Sequence, residues 1–221
     1  CYQKRKGISM KKKALLNNEQ MDFLCEMINI GAGNAAVAFS QMLQCVVDIK
    51  VPEIYVFPSS DIPSFLRDPA KPFTAVSMSM VGDVKGRLFL LVLNEQKERL
   101  IELVERAAPG GRSNGGVASD ISALEEVGNI LTGVFLVSIH DFCKLNIYHS
   151  VPDLRIDMIQ ALIDESIAGT ISASSPIIMI ESEFVITGEN ISACFLIIPD
   201  KESIQTLVGS IENARKQMSG N

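Results

Sequence analysis

The chain has 221 residues, 47% hydrophobic and 21% charged, which is enough apolar mass to core one large domain or two small ones and argues against disorder. A net charge of −6 excludes general nucleic-acid binding as a leading function, and 6% aromatic residues with no Trp leave no base-stacking platform.

In chain order, residues 1–17 are basic and uneven and read as a flexible leader. A start at Cys1 fits a processed lipoprotein, but MKKK from Met10 looks more like a native start. Asn17 or Asn18 can cap a helix beginning near Glu19 and running to about Leu43. CVVDIKVPEI (45–54) is β-branched and alternating, a strand that Pro52 should stop. The stretch 57–72 carries four prolines and reads as a loop with one helical turn, and 73–94 as two strands around Gly82 and Asp83. A surface helix follows over 95–107. PGGRSNGG (109–116) is a linker. Then come a second long helix (118–143), a strand ending at Pro152 (145–152), a helical segment (158–169), a strand pair turning at Gly188 and Glu189 (175–200) and a last helix (201–217).

Each half thus reads as helix, strand, connection, hairpin, helix. The expected fold class is α+β: a single domain over 18–221, made of two repeats (18–107 and 118–217) joined by a Gly-rich linker at 108–117. The halves should pack about a pseudo-twofold axis, sharing antiparallel sheet with the two long helices laid on the outside.

The repeat is visible residue by residue. Asp22, Glu26, Asn29 and Pro52 recur 100 positions later as Ser122, Glu126, Asn129 and Pro152. The same offset aligns Leu24 with Leu124, Ile30 with Ile130, Gly33 with Gly133 and Val51 with Val151. At about 100° per residue, positions i, i+4 and i+7 fall within roughly 60° of one another on a helix, so each copy shows a polar stripe. The opposite side is apolar and small: Leu24, Ile28, Gly31, Ala35 and Met42 in one copy, Leu124, Gly128, Leu131, Phe135 and Phe142 in the other. A mid-helix Asn is a local violation of helix propensity, and such violations mark places to look for function. In a single copy, Glu and Asn would read as a solvated face; their repetition shifts the reading toward a site.

LCEMINIGAGNAAVAFSQML (24–43) with VDIKVPEI (47–54), and SALEEVGNILTGVFLVSI (122–139) with VPDL (151–154), resemble the two signature helices of the CheC family of chemotaxis phosphatases. The resemblance covers nearly all of the chain from residue 18 on. Asp or Ser, x3, Glu, x2, Asn, x22, Pro is that family's signature, and both copies satisfy it. The resemblance implies a substrate, the phosphorylated CheY-type response regulator, and a reaction, hydrolysis of its aspartyl phosphate. CheX-like relatives carry one such helix and dimerise, FliY adds a flagellar switch domain, and FliM-like proteins share the fold without the Glu and Asn pair. The chain ends at Asn221, soon after the second half, so a switch domain is not expected within it.

By that resemblance Glu26, Asn29, Glu126 and Asn129 are catalytic: the Asn amide holds the attacking water and the Glu pairs with the receiver's Lys. Asp22 and Ser122 adjust docking, and Pro52 and Pro152 end strands beneath the helices. No intrinsic cofactor is implied, since Mg²⁺ is held by the receiver. The receptor deamidase CheD is a further implied partner. The competing function is a non-catalytic interaction module, similar to the flagellar switch domains or an adaptor for CheD.

Other features read more plainly. GAGNAA (31–36) lacks the Lys of a phosphate loop and lies inside a helix, so close helix packing explains it better. His140 and His149 lack the company of a metal site or triad. SMSM (77–80) reads as strand core, and Glu181, Glu183 and Glu189 as solvated. Five cysteines at 1, 25, 45, 143 and 194, without a CxxC, read as reduced cytosolic thiols. No uninterrupted apolar run reaches the roughly 20 residues of a membrane span, so a cytoplasmic protein without membrane contact is expected. Ile28 stands where the second copy has Gly128, a difference that could alter how the first helix seats.

Overall fold

The computed structural model describes residues 16–58, 72–107, 117–159, 161–162, 164, 176–186 and 189–219. Most of the leader, the proline-rich loop, the linker at 108–116, most of the helical segment at 158–169 and Gly188 lie outside the described residues.

Helix α1 (Asn18–Leu43) begins with a reciprocal capping box. The Gln20 amide donates to Asn17 Oδ1 and the Asn17 amide donates to Gln20 Oε1, each at 2.9 Å, which satisfies two N–H groups the helix cannot. It ends at Gln44 with φ 52°, and the second long helix, α3 (Val117–Cys143), ends at Lys144 with φ 56°, again 100 positions later. Between them lie β1 (Val47–Pro58), β2 (Pro72–Gly82), β3 (Gly86–Leu93) and α2 (Asn94–Ala107). After α3 come β4 (Ile147–His149), β5 (Asp153–Met158), β6 (Pro176–Ile186), β7 (Glu189–Pro199) and α4 (Ser203–Ser219).

The described strands form one antiparallel sheet in the order β1-β6-β7-β3-β2-β4, with β5 continuing β4 along β2. The halves interlock. β1 of the first half pairs with β6 of the second (Val47↔Ile186), while β4 and β5 of the second pair with β2 of the first (Ile147↔Gly82). At the centre β3 meets β7, with Leu90 opposite Phe195 and Leu91 opposite Cys194.

Strand alternation divides the apolar residues between two faces. Met78, Leu88, Leu90, Ile180, Phe195 and Ile197 join the helices in the main core, and Phe89, Leu91, Ile177, Met179, Leu196 and Ile198 form a smaller cluster on the other face with Phe57, Ile159 and Leu162. Met78 and Met80 are both buried, as core strand residues should be. The four described helices all lie on the main-core face. There α1 and α3 run antiparallel: Phe23 meets Phe142 edge-to-face with ring centroids 6.4 Å apart, and Gly31 sits against Ser138.

Two strand expectations need correction. Pro52 does not stop β1: pairing with β6 shifts register between Lys50 and Glu53 and then resumes to Pro58. A proline has no N–H to give the ladder, but an edge strand can absorb it in a bulge. Pro152 does not close a continuous strand either. The chain leaves the ladder after His149 and returns at Asp153, with Ser150 bridging the gap: its amide donates to Ser79 O at 2.9 Å and its hydroxyl accepts from Ser79 N at 3.0 Å. Both prolines therefore mark interruptions within a strand.

Both long helices have the length and composition to cross a membrane, a count of residues that tolerates the scattered polar positions absent from an uninterrupted run. In the structure each instead lays its apolar face on the sheet. The two are seated differently. A Cβ on Gly128 would lie 2.6 Å from Val76 Cγ1, so α3 presses directly on β2. The matching position in α1 is filled by the buried side chain of Ile28. Gly128→Ala is accordingly expected to destabilise by about 1–3 kcal/mol from overpacking, measured as a lower denaturant midpoint. In an open helix position the same change would stabilise by up to about 1 kcal/mol, so the sign decides whether the contact matters.

Candidate functional site

The buried residues of α1 include Leu24, Met27, Ile28, Gly31, Ala35 and Phe39 on one side, and Asp22, Glu26, Asn29, Gly33 and Val37 are exposed on the other. On α3, Leu124, Val127, Gly128, Leu131 and Phe135 are buried. Ser122, Glu126, Asn129 and Val137 are exposed opposite them, and Gly133 is half-buried. The structure thus brings Asp22, Glu26 and Asn29 onto one solvent-facing stripe and Ser122, Glu126 and Asn129 onto another, on neighbouring antiparallel helices. Each Glu precedes its Asn by three residues, about 4.5 Å of helix rise. Among the described residues, none holds Glu26, Asn29, Glu126 or Asn129 in a hydrogen bond or ion pair. All four side chains are exposed and, within the described part of the fold, unengaged.

The start of the first stripe is anchored from the other half. Arg215 on α4 pairs with Glu19 at 2.8 Å and with Glu212 at 2.9 Å, and Gln20 Nε2 donates to Glu212 at 3.3 Å. Hydrogen bonds from Arg215 first, and also from Lys216, push the Glu212 carboxyl down to about 2. The sign follows: a depressed folded pKa adds stability above the ordinary carboxylate range, lost as pH falls toward 2.

The side chains around the stripes offer little other chemistry. Burial, and then the charge of Asp22, raise the Cys25 thiol, and burial pushes Cys143 up to about 11, so both stay protonated and poorly nucleophilic at neutral pH. Cys25, Cys45, Cys143 and Cys194 are free thiols. His140 Nδ1 lies 3.1 Å from Leu145 O and His149 Nδ1 2.9 Å from Ser150 O, ordinary backbone partners. Among the described residues no group of three or more His, Cys, Asp or Glu is placed to hold a metal ion.

Close packing accounts for only part of the Gly-rich run. A Cβ on Gly31 would lie 3.1 Å from Ser138 Oγ, so that glycine serves the contact between α1 and α3. A Cβ on Gly33 would meet nothing within 4 Å, and one on Gly133 would meet only His149 Nε2 at 3.7 Å. A glycine at a helix interior costs about 1 kcal/mol relative to Ala, and nothing among the described residues requires it here.

One stripe element was missed by the sequence reading. Val37 and Val137 also match at the 100-residue offset, and they are 59% and 57% exposed. Carrying the alignment one turn further along each helix would have found them. Within the two helices the identical pairs are Leu24, Glu26, Asn29, Ile30, Gly33 and Val37 with their partners; Leu24 alone of these sits on the buried face. The core pairs differ instead: Met27 and Val127, Ile28 and Gly128, Gly31 and Leu131, Ala35 and Phe135.

A family model described as the CheC-like family matches residues 19–56 and 121–156, the two helix–strand units that carry the stripes. The Bacillus subtilis (strain 168) protein named CheY-P phosphatase CheC is 30% identical over 195 residues, covering 87% of this chain and 93% of that protein. Among solved structures, Thermotoga maritima FliY superposes with a TM-score of 0.72 at 18% identity, over 90% of this chain and 98% of that one. The FliM middle domain from H. pylori does so with a TM-score of 0.65 at 12% identity, over 88% and 99%. These two share the fold; it is the sequence identity across most of both chains, together with the matched helix–strand units, that shows the chain to belong to the CheC-like family.

Proposed function

We propose that the protein hydrolyses the aspartyl phosphate of a CheY-type response regulator in the cytoplasm, with one site on α1 and one on α3. The observation that carries this reading is the repeated exposed pair, Glu26 with Asn29 and Glu126 with Asn129, with no partner among the described residues. The name of the Bacillus subtilis relative supports it.

The chemistry asked of the pair is modest. An aspartyl phosphate is an activated acyl phosphate, and Mg²⁺ on the receiver neutralises its oxygens. What remains is to place a water in line with phosphorus. The Asn29 or Asn129 amide cannot take a proton, but its C=O and NH₂ can hold that water, as a Gln does in GTPases. Water oxygen then bonds to phosphorus, the P–O bond to the aspartate breaks, and carboxylate and inorganic phosphate leave. Glu26 or Glu126, one turn away, pairs with the receiver's Lys and fixes the helix over the phosphoryl group. Asp22 and Ser122 lie a further turn back and adjust docking; Pro52 and Pro152 have a structural role.

A non-catalytic module, as adaptor for a CheD-type partner or as a switch-like interaction domain, is the second reading, favoured by the fold shared with the FliM middle domain. The test is phosphate release from several CheY-type receivers charged with acetyl phosphate and Mg²⁺. Accelerated release supports the phosphatase. If folded protein binds the receivers and leaves their decay unchanged, the phosphatase reading is lost.

A further inference from the structure

We propose that Gly33 with Val37, and Gly133 with Val137, are positioning residues for this reaction: they form the seat against which the phosphorylated receiver closes once its phosphoryl group reaches the neighbouring Asn. The inference rests on the phosphatase reading and extends the site by two helical turns.

Three observations carry it. First, Asp22, Glu26, Asn29, Gly33 and Val37 fall within about 80° of one another around the helix axis, so the seat continues the reacting stripe. Second, the two halves keep Glu, Asn, Ile, Gly and Val on the outward side while exchanging nearly every buried residue beneath. A fold needs its core more than its surface, so this inverted pattern points to something outside the fold that reads the stripe. Third, packing among the described residues requires neither glycine, since a Cβ would meet nothing within 4 Å at Gly33 and make only ordinary contact at Gly133. A bare helix surface lets another backbone approach closely.

The size of the substrate sets the occupant. Gly33 lies about 6 Å and Val37 about 12 Å along the axis from Asn29. A protein partner covers about 800 Å², a disc of roughly 16 Å radius, so a receiver whose contact is centred on Asn29 covers both. A small acyl phosphate would reach neither. Val37 and Val137, large apolar side chains left mostly in water, then gain burial from the receiver.

The test uses the full chain as Gly33→Leu with Gly133→Leu, and separately as Val37→Asp with Val137→Asp. Binding is read on a receiver stabilised with beryllofluoride and Mg²⁺, together with KM and kcat for phosphate release, melting temperature and solution mass. The expected result is melting no lower than wild type, KM and Kd raised about 10- to 100-fold, and kcat less affected. A glycine needed by the fold would instead lower the melting temperature. The valine pair keeps the test sound if leucine at position 133 disturbs His149. Unchanged KM and Kd in both variants overturn the seat, as does a wild-type dimer dispersed by the valine changes, which would assign the strip to a second copy. If wild type neither binds nor dephosphorylates any receiver, the phosphatase reading falls with it. If wild type does both and the variants match it, the seat alone falls.

Discussion

Replacing both Asn29 and Asn129 with alanine should return phosphate release to the receiver's own rate, a loss on the order of 10²- to 10³-fold in accelerated turnover. The fold should not pay for it. Both side chains are exposed and unpartnered among the described residues, and alanine is the better helix former, so melting should hold or rise. Stopped-flow release with a charged receiver measures the rate, and circular dichroism checks the helices. The single variants carry separate information. Two independent, equal sites would leave each single variant with roughly half the wild-type rate. The halves are not equal, however: Asp22 stands opposite Ser122 in the repeat, and α3 is pressed on Val76 through Gly128 where α1 stands on Ile28. One single variant is therefore expected to cost more than the other. Full activity in the double variant would remove the asparagines from the mechanism.

Much of this arrangement was legible because helix periodicity and the 100-residue offset reinforce each other. The buried side of α1, the stripe opposite it and the hairpin at Gly82 all follow from spacing. Other features depend on tertiary partners that spacing does not show. Pro52 reads as a strand end when only its missing N–H is considered; β1 passes it through a register shift in its pairing with β6, a tolerance that fits its place at the end of the described strand order. Likewise the gap before Asp153 is held by Ser150 reaching Ser79, 71 residues earlier. Gly31 and Gly33 look alike in sequence, and only the position of Ser138 separates the packed glycine from the open one. The clamp from Arg215 to Glu19 joins the two ends of the described chain and has no signature in either segment alone.

The interlocked sheet makes the core prediction sharper than an ordinary large-to-small change. Phe39 is fully buried on α1 and meets Phe184 of β6 edge-to-face with centroids 5.9 Å apart, so a residue of the first half packs on a strand of the second. Phe39→Ala is expected to cost about 3–5 kcal/mol, through lost transfer energy plus the cavity left behind. Domains are stable by only about 5–15 kcal/mol, so this is a large fraction of the total. Among the described strands β1 pairs only with β6, and β4 and β5 only with β2, so each half holds its outer strands through the other and should lose them when the other unfolds. The loss should therefore appear as one shifted urea transition seen alike by helix and core probes, and the activity of both stripes should fall together across it. Two separated transitions, with the α3 site surviving the first, would mean that the halves are held independently and that the shared sheet contributes little to their coupling.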